Sequence, residues 1–317
     1  MSHLDPPPAP APTAPAPGNT SYGSTPAGTT TAIHDIGYRH YDGARLAQGY
    51  LTRSLIVDGL RAAYGIGRAG KAKVMPFVLV GCMLLVALVV AVIAATTKSA
   101  PGLGYSEFGL QMQVLVVLYA AGQAPTLVSR DLRHGIMPLY FSRPLRRGRY
   151  VLSKVVAMTV ATFVFVAVPV LVVYAGALLA DQAFWSNTGN LGRGLVATAI
   201  QAVVVALIAL TVAAYLPQRG LGLTIAIAVY IVTTIVFGVL TGVLLGTDHE
   251  AEAGWAVLAS PYTTVAAVQH WVLRVESTLP FNPPGWQGGA AATALLIVVL
   301  LGCWVALQRR YRKAVTA

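Results

Sequence analysis

Two stretches hold residue types that could do chemistry. The first, Gly65-Ile66-Gly67-Arg68-Ala69-Gly70-Lys71-Ala72, fits a dinucleotide fingerprint and comes close to a phosphate loop. Both motifs need a strand before the glycines and a soluble helix after them, so that backbone N–H groups surround the phosphate. Here a helix-spaced pattern precedes, a long apolar run comes after, and Ala72 stands where a hydroxyl would hold Mg²⁺. The stretch therefore reads as a basic hinge, and no other stretch offers a nucleotide site. The second, Ser129 to Lys154, carries seven of the 22 Lys and Arg residues between two uncharged apolar runs. Within it Asp131 to Phe141 can form a short helix, with Leu132, Ile136, Leu139 and Tyr140 on one side and Arg130, Arg133 and His134 on another. Gly135 and Pro138 weaken that helix, so it needs a partner to stay ordered. Ser142-Arg143-Pro144 stops it, because a proline disfavours helix in the residue before it. A basic anchor for anionic lipid explains the charges, but not an apolar stripe beside a stop.

What the apolar runs lack is equally informative. Their cores contain no Asp, Glu, Lys, Arg or His. Ion-coupled carriers usually need an ionisable group at depth, despite an insertion penalty of about 2.5 to 3.5 kcal/mol. A membrane enzyme would need carboxylate or His-Glu metal sets. An ion-coupled carrier is therefore disfavoured, and no catalytic, cofactor or metal-ligating residue is expected. Polar residues do occur in these runs: Gln111, Gln113, Tyr119 and Gln123 in the second, Gln201 in the fourth. They suit interhelical hydrogen bonds, worth about 0.6 kcal/mol each; alternatively, the four glutamines line a substrate path or a dimer seam. Gly238, Gly242 and Gly246 are expected to form a close helix-packing face, within a subunit in preference to between subunits. Pro125 and Pro169 are expected kinks, and Cys82 and Cys303 expected buried thiols.

The surrounding elements can be derived from composition. The 317 residues are 56% apolar and only 10% charged, too few charges to cover a soluble surface of this size. The net charge of +11 is clustered between apolar runs, which points to anionic lipid headgroups rather than nucleic acid. Residues 1–32, rich in Pro and Ala, form an expected disordered tail. Residues 33–73 form a cytoplasmic interfacial segment. In it Leu51, Leu55, Ile56 and Leu60 recur at helical spacing, with Arg53, Asp58 and Arg61 mostly on the other side, giving an amphipathic helix. Residues 74–308 form a six-span domain, with spans near Pro76–Thr96, Leu110–Val128, Val155–Ala180, Leu195–Leu216, Leu223–Gly246 and Gly288–Leu307. Each covers about 30 Å of hydrocarbon as a helix. If both termini are cytoplasmic, every Lys and Arg lies inside except Lys98, Arg193 and Arg274, an asymmetry the positive-inside rule favours. The outer segment 247–286 is too polar and broken for a seventh span and reads as two short helices. Residues 309–317 form a basic cytoplasmic tail.

This layout resembles the permease subunit of ABC transporters of the type-2 exporter class. The matching loop positions are Arg130, Asp131, Gly135, Leu139, Ser142, Arg143, Pro144, Arg149, Tyr150 and Lys154. The resemblance covers residues 33–313, with a connecting helix at Tyr50–Tyr64 and short re-entrant helices within Trp255–Val275. Among its departures, Ile136 comes after Gly135 and Pro138 interrupts the helix. It implies an all-α integral inner-membrane protein that exports a small molecule or lipid-like substrate. The chain itself would not be an enzyme: ATP and Mg²⁺ would sit on a separate ATP-binding cassette subunit, and a second permease copy would complete a homodimer. Coupling to the ATPase would fall to Arg130, Asp131, Arg133, Gly135, Leu139, Tyr140, Ser142, Arg143 and Pro144. The alternative expectation is a membrane anchor or scaffold that recruits a soluble partner through the same loop.

Overall fold

The computed structural model describes residues 48–68, 70–98, 103–133, 145–180, 182–216, 220–247, 249–275, 279 and 281–316. The Pro/Ala-rich tail (1–32), the adjoining 33–47 and most of the expected coupling helix with its stop (134–144) lie outside them. The described residues are helical, with no strand among them. In chain order the helices are α1 (Gln48–Ala63), α2 (Lys71–Thr97), α3 (Tyr105–Gln111), α4 (Gln113–Ala124), a π-helical turn (Pro125–Ser129), α5 (Arg130–Arg133), α6 (Arg147–Leu179), α7 (Phe184–Tyr215), α8 (Leu221–Gly246), α9 (Glu250–Ala253), a 3₁₀ turn (Gly254–Ala259), α10 (Pro261–Leu273) and α11 (Gly285–Thr316). Five of them, α2, α6, α7, α8 and α11, are long and apolar enough to cross a membrane. A sixth span exists only if α3 and the Gln113–Arg133 segment, bent by 63° at Met112, count as one. The expected span Leu110–Val128 is thus broken near its start.

The amphipathic spacing of α1 does what it should. Leu51, Leu55, Ile56 and Leu60 pack on the core, while Arg53, Asp58 and Arg61 are exposed. Gly59 lets the helix ride close to α6, since a Cβ there would lie 2.7 Å from Ala157 Cβ. Just beyond α1, the Tyr64 hydroxyl donates to the Ala161 carbonyl at 2.8 Å, and burial pushes the Tyr64 phenol pKa up. The glycine-rich stretch then turns the chain into α2, with Gly65 and Gly67 at φ 67° and 81°. It joins two helices, with none of the strand context a phosphate loop requires.

Helices α6 and α7 form the centre of the bundle, each buried along much of its length. Both begin earlier than expected: α6 takes in Arg147, Arg149, Tyr150 and Lys154, and α7 starts at Phe184 rather than Leu195. Small residues bring α2 against α6, with Ala91 seated on Gly176. Before α11, Ser260 caps α10 by accepting from Tyr262 N at 3.3 Å, and Pro261 suits the first helical position. The buried face of α10 carries Val265, Val268 and Gln269, and Gln269 Nε2 donates to Ala197 O of α7 at 2.9 Å. A 3₁₀ turn and the short helix α10 thus occupy the stretch where the apolar pattern is broken.

Three expectations need correction. The glycines Gly238, Gly242 and Gly246 pack on nothing within the chain: a Cβ at any of them would meet open space. Cys82 is exposed on α2 and Cys303 half-buried. Helix α11 runs on through Arg309, Arg310, Arg312 and Lys313. Pro125, an expected kink, instead opens the π-helical turn. Its missing N–H removes a rung of the helical ladder there, and a π-bulge is one way a helix accommodates such a break.

Candidate functional site

One end of the bundle gathers the finish of α5, α7 and α11 with the start of α6. We term it the loop end, because residues 129–154 belong to it. The π-helical turn delivers the chain to it with Ser129 buried, its hydroxyl donating to Ala213 O of α7 at 2.6 Å. Beyond it the side chains alternate: Arg130 and Arg133 are exposed and Asp131 is buried.

Asp131 is 7% exposed and Lys154 6%. Lys154 Nζ lies 2.9 Å from Asp131 Oδ2, and the Tyr150 hydroxyl donates to the same oxygen at 2.5 Å. Tyr150 and Lys154 are one helical turn apart on α6, so both reach the carboxylate from one face. The ammonium also sits 5.4 Å from the Tyr150 ring centroid, within cation–π range. Tyr311 of α11 closes the far side, edge-on to Tyr150 at 5.4 Å between ring centroids. Nearby, Arg310 Nε donates to Ala214 O at 3.0 Å, tying α11 to the end of α7. A charge this deep is tolerated because it is both paired and hydrogen-bonded.

The carboxylate therefore clamps the two roots of the loop together. One root belongs to the α4–α5 segment and the other to α6. Helix α1 lies across the same junction: Gly59 faces Ala157 of α6 and Leu127 of the π-helical turn. The expected coupling residues thus divide. Asp131 is turned inward, onto Lys154; Arg130 and Arg133 face outward; Gly135, Leu139, Tyr140, Ser142, Arg143 and Pro144 lie outside the described residues. Lys154 and Tyr150, matched in the loop but given no coupling role there, complete the group. The signal was there: Asp131 is the sole acid between Ser129 and Lys154, and Lys154 is the last charge before an uncharged run to Ala180.

The four candidate path glutamines differ in their surroundings. Gln201 Nε2 donates to Gly109 O at 2.8 Å, holding α3 on α7. Gln123 and Gln113 are buried, Gln123 with its amide 3.9 Å from Met75 Sδ. Gln111 is exposed beside the bend. Among the described residues no group of three or more His, Cys, Asp or Glu side chains could hold a metal ion.

The opposite end of the bundle holds a cavity of about 490 Å³. Its walls come from the start of α3 (Leu103 to Glu107), the start of α7 (Gln182 to Arg193) and the end of α10 (Arg274, Val275). Gly194 makes the α3–α7 contact possible, since a Cβ there would lie 2.5 Å from Tyr105 Cβ.

A family model described as a protein of unknown function (DUF2705) matches residues 93–250, slightly less than half of the chain. No curated protein matches it. The matched region includes Asp131, Tyr150 and Lys154, and its description assigns no activity.

Proposed function

We propose that this chain is the membrane-spanning permease subunit of an ABC transporter, worked by a separate ATP-binding subunit. In this reading the bent α3–α4 pair counts as one span, giving six. Both termini and residues 129–154 face the cytoplasm, the protein sits in the inner cell membrane, and two copies pair with two ATPase subunits to export a small or lipid-like molecule. The observation that supports it is the buried Asp131–Lys154 ion pair. It joins α5 to α6 at the roots of one basic loop, so a force on the loop reaches the α4–α5 segment and α6 together. With α1 lying on the same junction, three elements would shift as a body when the ATPase dimer closes, the kind of rigid movement by which packed helices switch. Asp131 then acts inside the lever. The docking charges are Arg130 and Arg133, with Leu139 and Tyr140 expected to fill a groove on the partner.

The test is affinity purification of the tagged chain from its native membrane, then an ATPase assay on the eluate. The expected result is copurification of an ATP-binding cassette subunit and hydrolysis that the chain alone lacks. Replacing Arg130 and Arg133 by Glu should abolish the copurification. Hydrolysis by the isolated chain would overturn the proposal. So would labelling of Arg133→Cys, in a background without Cys82 and Cys303, by an impermeant maleimide added outside intact cells.

A further inference from the structure

The cavity opposite the loop end is polar, open and built from three distant parts of the chain. Its lining includes Ser106, Ser186, Asn187, Asn190, Glu107 and two arginines, Arg193 and Arg274. Those arginines are two of only three cations that the charge pattern leaves on this side. Neither makes an ion pair among the described residues, and both are exposed. Glu107 is already engaged, its Oε2 accepting from Gly104 N at 3.3 Å as the cap of α3. Asn187 is nine-tenths buried, and its Oδ1 accepts from the Tyr105 hydroxyl. Its Nδ2 has no hydrogen-bond partner among the described residues.

Arg274 has a local role as well. It ends α10 in the left-handed conformation, φ 51° and ψ 44°, a position that glycine or asparagine normally fills. A cation suits the carbonyl end of α10, which accounts for Arg274 alone. Arg193 lies well inside α7, where no helix terminus calls for it. Two guanidinium groups and serine hydroxyls around one volume are donors that recognise phosphate oxygens. The volume is within the usual range for a small-ligand site. Aromatic side chains stand at the same end: Phe184 and Trp185 directly before Ser186, and Trp286 at the start of α11, all exposed. Such residues sit at the headgroup level of a bilayer.

We infer that this cavity binds the phosphate group of an anionic ligand, with Arg193 and Arg274 as its cationic contacts. The aromatic rim favours a phospholipid headgroup as the source over a free phosphate ester. The inference is independent of whether a partner ATPase drives the chain. The experiment is thermal unfolding of the detergent-purified protein titrated with short-chain phosphatidylglycerol, with glycerol 3-phosphate and with a short-chain uncharged diacylglycerol. A saturable rise in Tm is expected with phosphatidylglycerol and none with diacylglycerol. Arg193→Gln and Arg274→Gln should each weaken it about tenfold. The double substitution with Lys should retain part of the response, because the charge remains. A response to glycerol 3-phosphate equal to that of the lipid would support the site and reassign its source to a soluble ester. Equal responses to phosphatidylglycerol in the wild type and the double Gln variant, or no response to either phosphate ligand, would overturn the inference.

Discussion

The two ends of this helical bundle handle charge in opposite ways. At the loop end Asp131 and Lys154 are buried, paired and further held by Tyr150. At the other end Arg193 and Arg274 are exposed and line an open cavity. A paired buried charge is part of the framework, since taking away one member leaves the other stranded. An exposed cation contributes little to the framework and remains available to a ligand or partner. The contrast separates the charges that hold helices together from those that can recognise something.

Substitutions at the two ends should therefore differ most in stability. Lys154→Met leaves the Asp131 carboxylate buried without its cation and is expected to cost about 3 to 5 kcal/mol, read as a large fall in Tm in detergent. Adding Asp131→Leu should recover much of that loss; a double variant as unstable as the single one would remove the ion pair as the cause. Gly59→Val comes next. Its side chain would collide with Ala157, and the displacement of α1 should cost about 1 to 3 kcal/mol. Arg130→Glu with Arg133→Glu, both on the exposed face, should change stability by only about 0.5 kcal/mol while removing any ATPase partner. The smallest stability effect is expected for Arg193→Gln with Arg274→Gln, again within about 0.5 kcal/mol. There the change should appear only in the response to phosphate-bearing ligands. If the cavity variants unfolded as readily as Lys154→Met, the distinction between the two ends would fail.

Some of these elements are legible in the sequence and others are not, for physical reasons. The apolar runs announce the long helices, because lipid-facing and core-facing surfaces are both apolar in such a protein and length alone marks the span. The spacing of Leu51, Leu55, Ile56 and Leu60 announces α1. The direction of Asp131 is not legible. A helical wheel drawn through Asp131 assumes a regular turn, whereas Pro125 opens a π-helical turn that changes the phase of the residues after it. The glycines of α8 are legible as a capacity for close approach, but spacing alone does not say which neighbour uses it. The bend at Met112 has no breaker at the break itself. It is held instead from α7, by the Gln201 bond to Gly109 O. The cavity is invisible for a different reason. Its walls come from residues near 105, 187 and 274, and nothing local in any of the three announces the other two.

The buried carboxylate also constrains how the chain can be made. Lys154 leaves the ribosome twenty-three positions after Asp131, roughly one to five seconds later at ordinary elongation rates. During that interval the acid lacks this ammonium, so the α4–α5 segment cannot make its final contact with α6 before the first turns of α6 have been synthesised. Biogenesis of this protein should therefore proceed by paired rather than one-by-one integration of these segments, and a stall engineered between them should expose the nascent chain to quality-control proteolysis.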